Sequence, residues 1–116
     1  MDDLVKAVLR FRDERDWRQF HNPKDLAISI SLEAAELLEQ FQWKNPAEVE
    51  SFLAVPENRR RVGEEMADVL ILLISLADAV GLDLAEAARR KLLENARKYP
   101  VERAKGNAKK YDALAP

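Results

Sequence analysis

Residues 69–80 read VLILLISLADAV. Wound at 100° per residue, they put apolar side chains in nearly every direction, and only Ser75 and Asp78 interrupt. A helix of that kind has no face to give to water and must be covered on all sides. The run is too short to cross a bilayer, which takes about 20 residues. It therefore predicts a central helix enclosed by other helices, in a chain with no membrane span.

The punctuation around it agrees. A first amphipathic helix is expected from about Asp2 to Arg15, with Leu4, Val8, Leu9 and Phe11 as its apolar side. His21-Asn22-Pro23 reads as an asparagine cap followed by proline at the first helical position, which opens a second helix to about Gln42. Asn45-Pro46 repeats the device for a short helix. The apolar helix starts near Pro56 and stops at Gly81, a residue suited to a helix C-terminus. Asp83 with Glu86 reads as a capping box for a last helix to about Lys98. Pro100 ends it, and an irregular basic tail is expected over 101–116. With no strand-like alternation and no internal repeat, the expectation is a single all-α domain over 1–116, with four main helices in a four-helix-bundle-type arrangement. Four helices of this length do not enclose one completely. The second helix also has an excess, because Ile28, Leu32 and Ala35 lie off its main stripe of Leu26, Ile30, Leu37 and Phe41. A core shared between copies in a homo-oligomer accounts for both.

Composition narrows the chemistry. There are no cysteines and one histidine, His21. Thiolate nucleophiles, cysteine-ligated zinc and multi-histidine metal sites are thereby excluded, and a reducing cytoplasm is the expected setting. The charged N-terminus has no continuous apolar core, so no signal peptide is expected. The net charge of −2 conceals an asymmetry: residues 89–116 sum to +6 and the first 88 to −8. The basic end gives nonspecific nucleic-acid binding a physical route, but no nucleic-acid-reading motif is visible, so that partner is not expected.

The acidic body contains two pairs that stand out. Glu33 and Glu36 form E-x-x-E on the second helix, and Glu65 and Asp68 form E-x-x-D on the apolar helix. Each pair lies one turn apart beside an apolar surface, where like charges repel and lose solvation. If the two helices pack antiparallel, four carboxylates converge. Two readings are open. The acids hold a hard cation, Mg²⁺ or Mn²⁺, since no histidine is among them; or they are solvated and paired with Arg59, Arg60 or Arg61.

The ordered blocks LEAAEL (32–37) and EEMADVLILL (64–73) resemble the E-x-x-E…E-x-x-D signature of the all-α nucleotide pyrophosphohydrolases, the MazG-like superfamily. ERDWRQFHNPKDL (14–26), ELLEQFQW (36–43) and KLLENARKYP (91–100) are similar to blocks of its dCTP pyrophosphatase branch. The resemblance implies a MazG-like fold completed by homo-oligomerisation, as a dimer or a dimer of dimers. It also implies Mg²⁺-dependent cleavage of a nucleoside triphosphate between its α and β phosphates. Glu33, Glu36, Glu65 and Asp68 are then the metal ligands, with Glu36 as the expected general base. Lys91, Asn95 and Lys98 form one stripe at i, i+4 and i+7, which the resemblance assigns to phosphate together with Arg97, Lys105, Lys109 and Tyr111. Trp17, His21 and Trp43 are the expected base contacts, and cytosine, plain or 5-modified, is the expected base. The competing expectation is a non-catalytic helical oligomeric module whose acidic cluster is structural.

Overall fold

The computed structural model describes residues 1–113. They form helices α1 (Asp2–Glu14), α2 (Pro23–Glu39), α3 (Pro46–Ala54), α4 (Pro56–Val80), α5 (Leu84–Lys98) and α6 (Val101–Ala104), with single 3₁₀ turns at Arg18–Phe20 and Tyr111–Ala113. No strand occurs among the described residues. The chain divides into two compact units, one spanning Met1–Leu82 and one from Asp83 onward.

In the first unit α4 is the shared partner. It packs principally against α2, and also against α3 and α1. The polar interruptions of its apolar run each have a partner. Ser75 Oγ donates to the Ile71 carbonyl one turn back at 3.1 Å. Asp78 receives Arg12 Nη1 from α1 at 2.6 Å, while Arg12 Nε reaches Asp13 at 2.8 Å. Arg12 is only 4% exposed. Both carboxylates hold its pKa above the ordinary arginine value, Asp13 chiefly, and burial opposes them. A half-buried ion pair thus fastens α1 to the C-terminal half of α4.

The caps follow the sequence, with one exchange. Asn45 and Glu48 form the reciprocal capping box, at 2.8 and 3.2 Å. At Asp83 only the half that accepts the Glu86 N–H is made, at 3.0 Å. Gly81 closes α4 in the left-handed region, at φ 72°. The second helix ends at Glu39, short of the expected Gln42, and turns over residues 40–43. The second unit carries α5, and its tail is less irregular than expected, since Val101–Ala104 form a helical turn.

The apolar core is small. Only Leu26, Ile74 and Ala77 are fully buried hydrophobic residues among those described. Ile28 and Leu32 of α2, and Met66, Leu70 and Ile71 of α4, are exposed. No helix among the described residues is long and apolar enough to cross a membrane.

Candidate metal centre

Asn22 sets the phase of the helix that carries the first acid pair. Its Oδ1 accepts the Asp25 N–H at 2.9 Å, and Pro23 occupies the first helical position. Glu33 and Glu36 then fall one turn apart, and Glu65 and Asp68 repeat the spacing on α4. Packing of α2 on α4 brings one carboxylate oxygen each from Glu33, Glu36 and Glu65 within 4.8 Å of one another. Asp68 is exposed and lies outside that trio, but its charge acts on both Glu33 and Glu65.

The trio is under electrostatic load. Glu33 Oε2 and Glu65 Oε2 are buried and have no hydrogen-bond partner among the described residues. Glu33 is held above the usual carboxylate range, first because its protonated form can hydrogen-bond to Glu36. Burial and the charges of Glu36, Asp68 and Glu65 add to this. Glu65 is raised first by burial, then by the charge of Glu36 and a hydrogen bond with it. Two of the three arginines considered as partners are engaged elsewhere. Arg60 pairs with Glu57 and Glu64, and Arg61 lies 3.9 Å from Glu57. Converging carboxylates with two unpartnered buried oxygens fit a hard divalent cation, which would satisfy the acceptors and relieve the repulsion together.

The aromatic candidates differ among themselves. Trp17 meets Phe11 edge-on, with centroids 5.6 Å apart, and so has a packing partner in its own chain. His21 is half-buried, and its Nδ1 is buried with no hydrogen-bond partner among the described residues. Trp43 is 91% exposed and lies at φ 67°. It packs as a cap on neither of its adjoining helices.

In the second unit, Lys91, Asn95, Arg97 and Lys98 all lie on α5. A carboxylate is interleaved in the stripe: Glu94 lies 3.6 Å from Lys91 Nζ and 3.2 Å from Lys98 Nζ. The two lysines, Lys98 first, hold Glu94 below its ordinary pKa. The spacing i+3 from Lys91 and i−4 from Lys98 was readable in the sequence and marks Glu94 as part of this stripe. Lys105 caps α6, and the Lys109 backbone N–H donates to Asn107 Oδ1 at 3.1 Å. Tyr111 starts the last 3₁₀ turn, and its side chain lies outside the described part of the structure.

Comparison with known proteins bears on this geometry. The profile of the MazG-like family matches residues 28–114. The dCTP pyrophosphatase 1 of Rattus norvegicus is 40% identical over 114 residues, covering 98% of this chain and 67% of that protein. The Homo sapiens protein of the same name is 38% identical with the same coverage. A pyrophosphatase crystal structure from Archaeoglobus fulgidus DSM 4304 matches with a TM-score of 0.75 and 46% identity, over 86% of this chain and 92% of that one. The acid pairs on α2 and α4 and a match spanning nearly the whole length lead to one assignment: the chain belongs to the MazG-like family of all-α nucleotide pyrophosphohydrolases.

Proposed function

We propose that this protein is a Mg²⁺-dependent pyrophosphohydrolase of dCTP or a 5-modified dCTP, acting as one domain on the cytoplasmic nucleotide pool. The products are the nucleoside monophosphate and pyrophosphate. The observation that carries the reading is the convergence of Glu33, Glu36 and Glu65 with two unpartnered buried oxygens. Relatives named dCTP pyrophosphatase 1 support the choice of base.

Mg²⁺, with Mn²⁺ as the substitute, would neutralise phosphate charge and acidify a coordinated water when bound. Glu33, Glu36 and Glu65 would hold the cation, with Asp68 as the fourth carboxylate of the set. Glu36 is the exposed member of the trio, so it is the carboxylate open to solvent water. It takes the proton as water oxygen attacks the α-phosphorus; the bond from that phosphorus to the α–β bridging oxygen breaks, and pyrophosphate leaves. Lys91, Asn95 and Lys98, with Arg97, Lys105, Lys109 and Tyr111, are assigned to the phosphates, where lysine supplies point charge. Trp17 and Trp43 offer flat faces to the base and His21 a ring nitrogen to its edge.

A homo-oligomer, dimeric or tetrameric, is part of the same reading. It rests on the three-residue buried core beside exposed Ile28, Leu32, Leu70 and Ile71.

The test is incubation with a panel of nucleoside and deoxynucleoside triphosphates and Mg²⁺, with product analysis. Monophosphate and pyrophosphate are expected, with dCTP or its 5-modified forms preferred. Loss of turnover with EDTA and in Glu36→Gln is also expected. Diphosphate plus orthophosphate would refute α–β cleavage. Activity that survives amide substitution of all four acids would remove the site.

A further inference from the structure

Trp43 is an unusual residue to leave in water. It is 91% exposed, yet its backbone sits at φ 67°, a region that an L-residue with a bulky side chain enters only under constraint. Glycine normally fills such a position just past a helix end. A strained backbone persists where its surroundings fix it, and the fixing contacts are visible on the next residue. Lys44 Nζ donates to the Gln40 carbonyl at 2.9 Å, at the frayed end of α2. The same ammonium lies 4.6 Å from the centroid of the Phe52 ring on α3. Phe52 in turn meets Phe41 edge-on at 6.5 Å. The Lys44 backbone N–H donates to the Phe41 carbonyl at 3.2 Å, closing the turn. Immediately after, the Asn45 capping box anchors the start of α3.

We propose that Lys44 is a positioning residue, which clamps the α2–α3 turn and thereby holds the Trp43 indole in its outward presentation. The role rests on the reading that Trp43 meets the nucleobase. Lysine suits it on two counts. A cation is favoured among the last carbonyls of a helix, and an ammonium is favoured over an aromatic face. A neutral side chain of similar length can do neither. With the clamp removed, Trp43 samples other backbone conformations, and apparent affinity falls in proportion to the fraction that still presents the ring. Turnover, set at the carboxylates, is untouched by that loss.

The experiment compares Lys44→Met and Lys44→Arg with the native chain. Lys44→Met is expected to raise KM for the triphosphate about threefold, with kcat within about twofold, as for a presenting fraction cut to about a third. Lys44→Arg, which keeps a cationic donor able to stack on Phe52, is expected to preserve KM. Trp43→Ala should raise KM about tenfold, the scale of a lost base–aromatic stack, and adding Lys44→Met to it should raise KM no further. In a Trp17→Phe background, where Trp43 is the sole indole, Lys44→Met should enlarge the fast component of its fluorescence anisotropy decay. An unchanged KM and unchanged anisotropy in Lys44→Met overturn the proposal, as do multiplicative effects in the double variant. If Trp43→Ala leaves KM unchanged while Lys44→Met still frees the indole, the base reading fails and the clamp stands. Lys44→Gln and Phe52→Leu give the same comparison should the methionine variant not fold.

Discussion

Asp78→Ala isolates the device that attaches α1 to α4. It removes the acceptor of a 2.6 Å contact to an arginine that is 4% exposed. Stripping one partner from a fully buried pair costs roughly 3–5 kcal/mol, because the other charge is left unpaired. Two features here reduce that cost. The Asp78 side chain is 32% exposed, and Arg12 retains Asp13 at 2.8 Å. About 2 kcal/mol is the resulting expectation, halfway between a buried pair and a surface one. With an unfolding entropy of about 2 cal/mol/K per residue, a chain of this length should lose about 8 °C in Tm. Circular dichroism melts at fixed protein concentration measure it, and urea titration checks the free energy. The double variant Arg12→Met/Asp78→Leu should recover most of the loss, since it leaves no unpaired charge. Asp78 is ten residues along α4 from Asp68, about 15 Å of helix, so kcat and KM at 25 °C should stay within about twofold of native. A loss below about 0.5 kcal/mol, or a double variant as unstable as the single, would show that Arg12 is solvated and that α1 is held by other contacts.

Other outcomes follow from the same structure. Mg²⁺ should raise Tm in a saturable way in the native chain, by linkage, and should not in Glu33→Gln or Glu65→Gln. Equal Mg²⁺-induced shifts in the variants would remove these residues as ligands. Because the folded-state pKa values of Glu33 and Glu65 are raised, the sign for the metal-free fold is unfavourable at neutral pH. Their contribution is fully present below the unfolded carboxylate value and is lost as pH rises through the folded one. Metal-free protein should therefore gain relative stability from this cluster on acidification towards the ordinary carboxylate range, and the gain should shrink in Glu33→Gln. Over that same range Mg²⁺ should bind more weakly, as protons compete for its ligands; calorimetric titration at stepped pH reads this. Sedimentation should return a dimer or tetramer in the native chain, and Ile28→Asp should weaken it. A native monomer at micromolar concentration would refute the shared core.

The local rules of the chain were legible because short spacings express them. Asn22-Pro23, Asn45-Pro46 and Gly81 each set a helix end through contacts within a few residues. The acid pairs were legible for the same reason, and the pairing of α2 with α4 made three of the four meet. What the sequence hid depends on long-range contacts or on competition between neighbours. The pairing of Arg12 with Asp78 spans 66 positions, and no periodicity announces it. The early end of α2 arises where the Gln40 carbonyl is taken by the Lys44 side chain. Of the tryptophans, Trp17 meets Phe11 and is 45% exposed while Trp43 is 91% exposed, a difference invisible in their flanking residues.

The small buried core has a consequence for how the protein behaves at different abundances. With only Leu26, Ile74 and Ala77 enclosed among the described hydrophobic residues, a chain completed by its own copy keeps part of its folding free energy in the partner. Each tenfold dilution of a folded dimer then removes about 1.4 kcal/mol from its stability. Activity per molecule would be constant at high copy number and would collapse below a threshold concentration. A cell could silence such an enzyme by modest depletion, without ever touching its carboxylates.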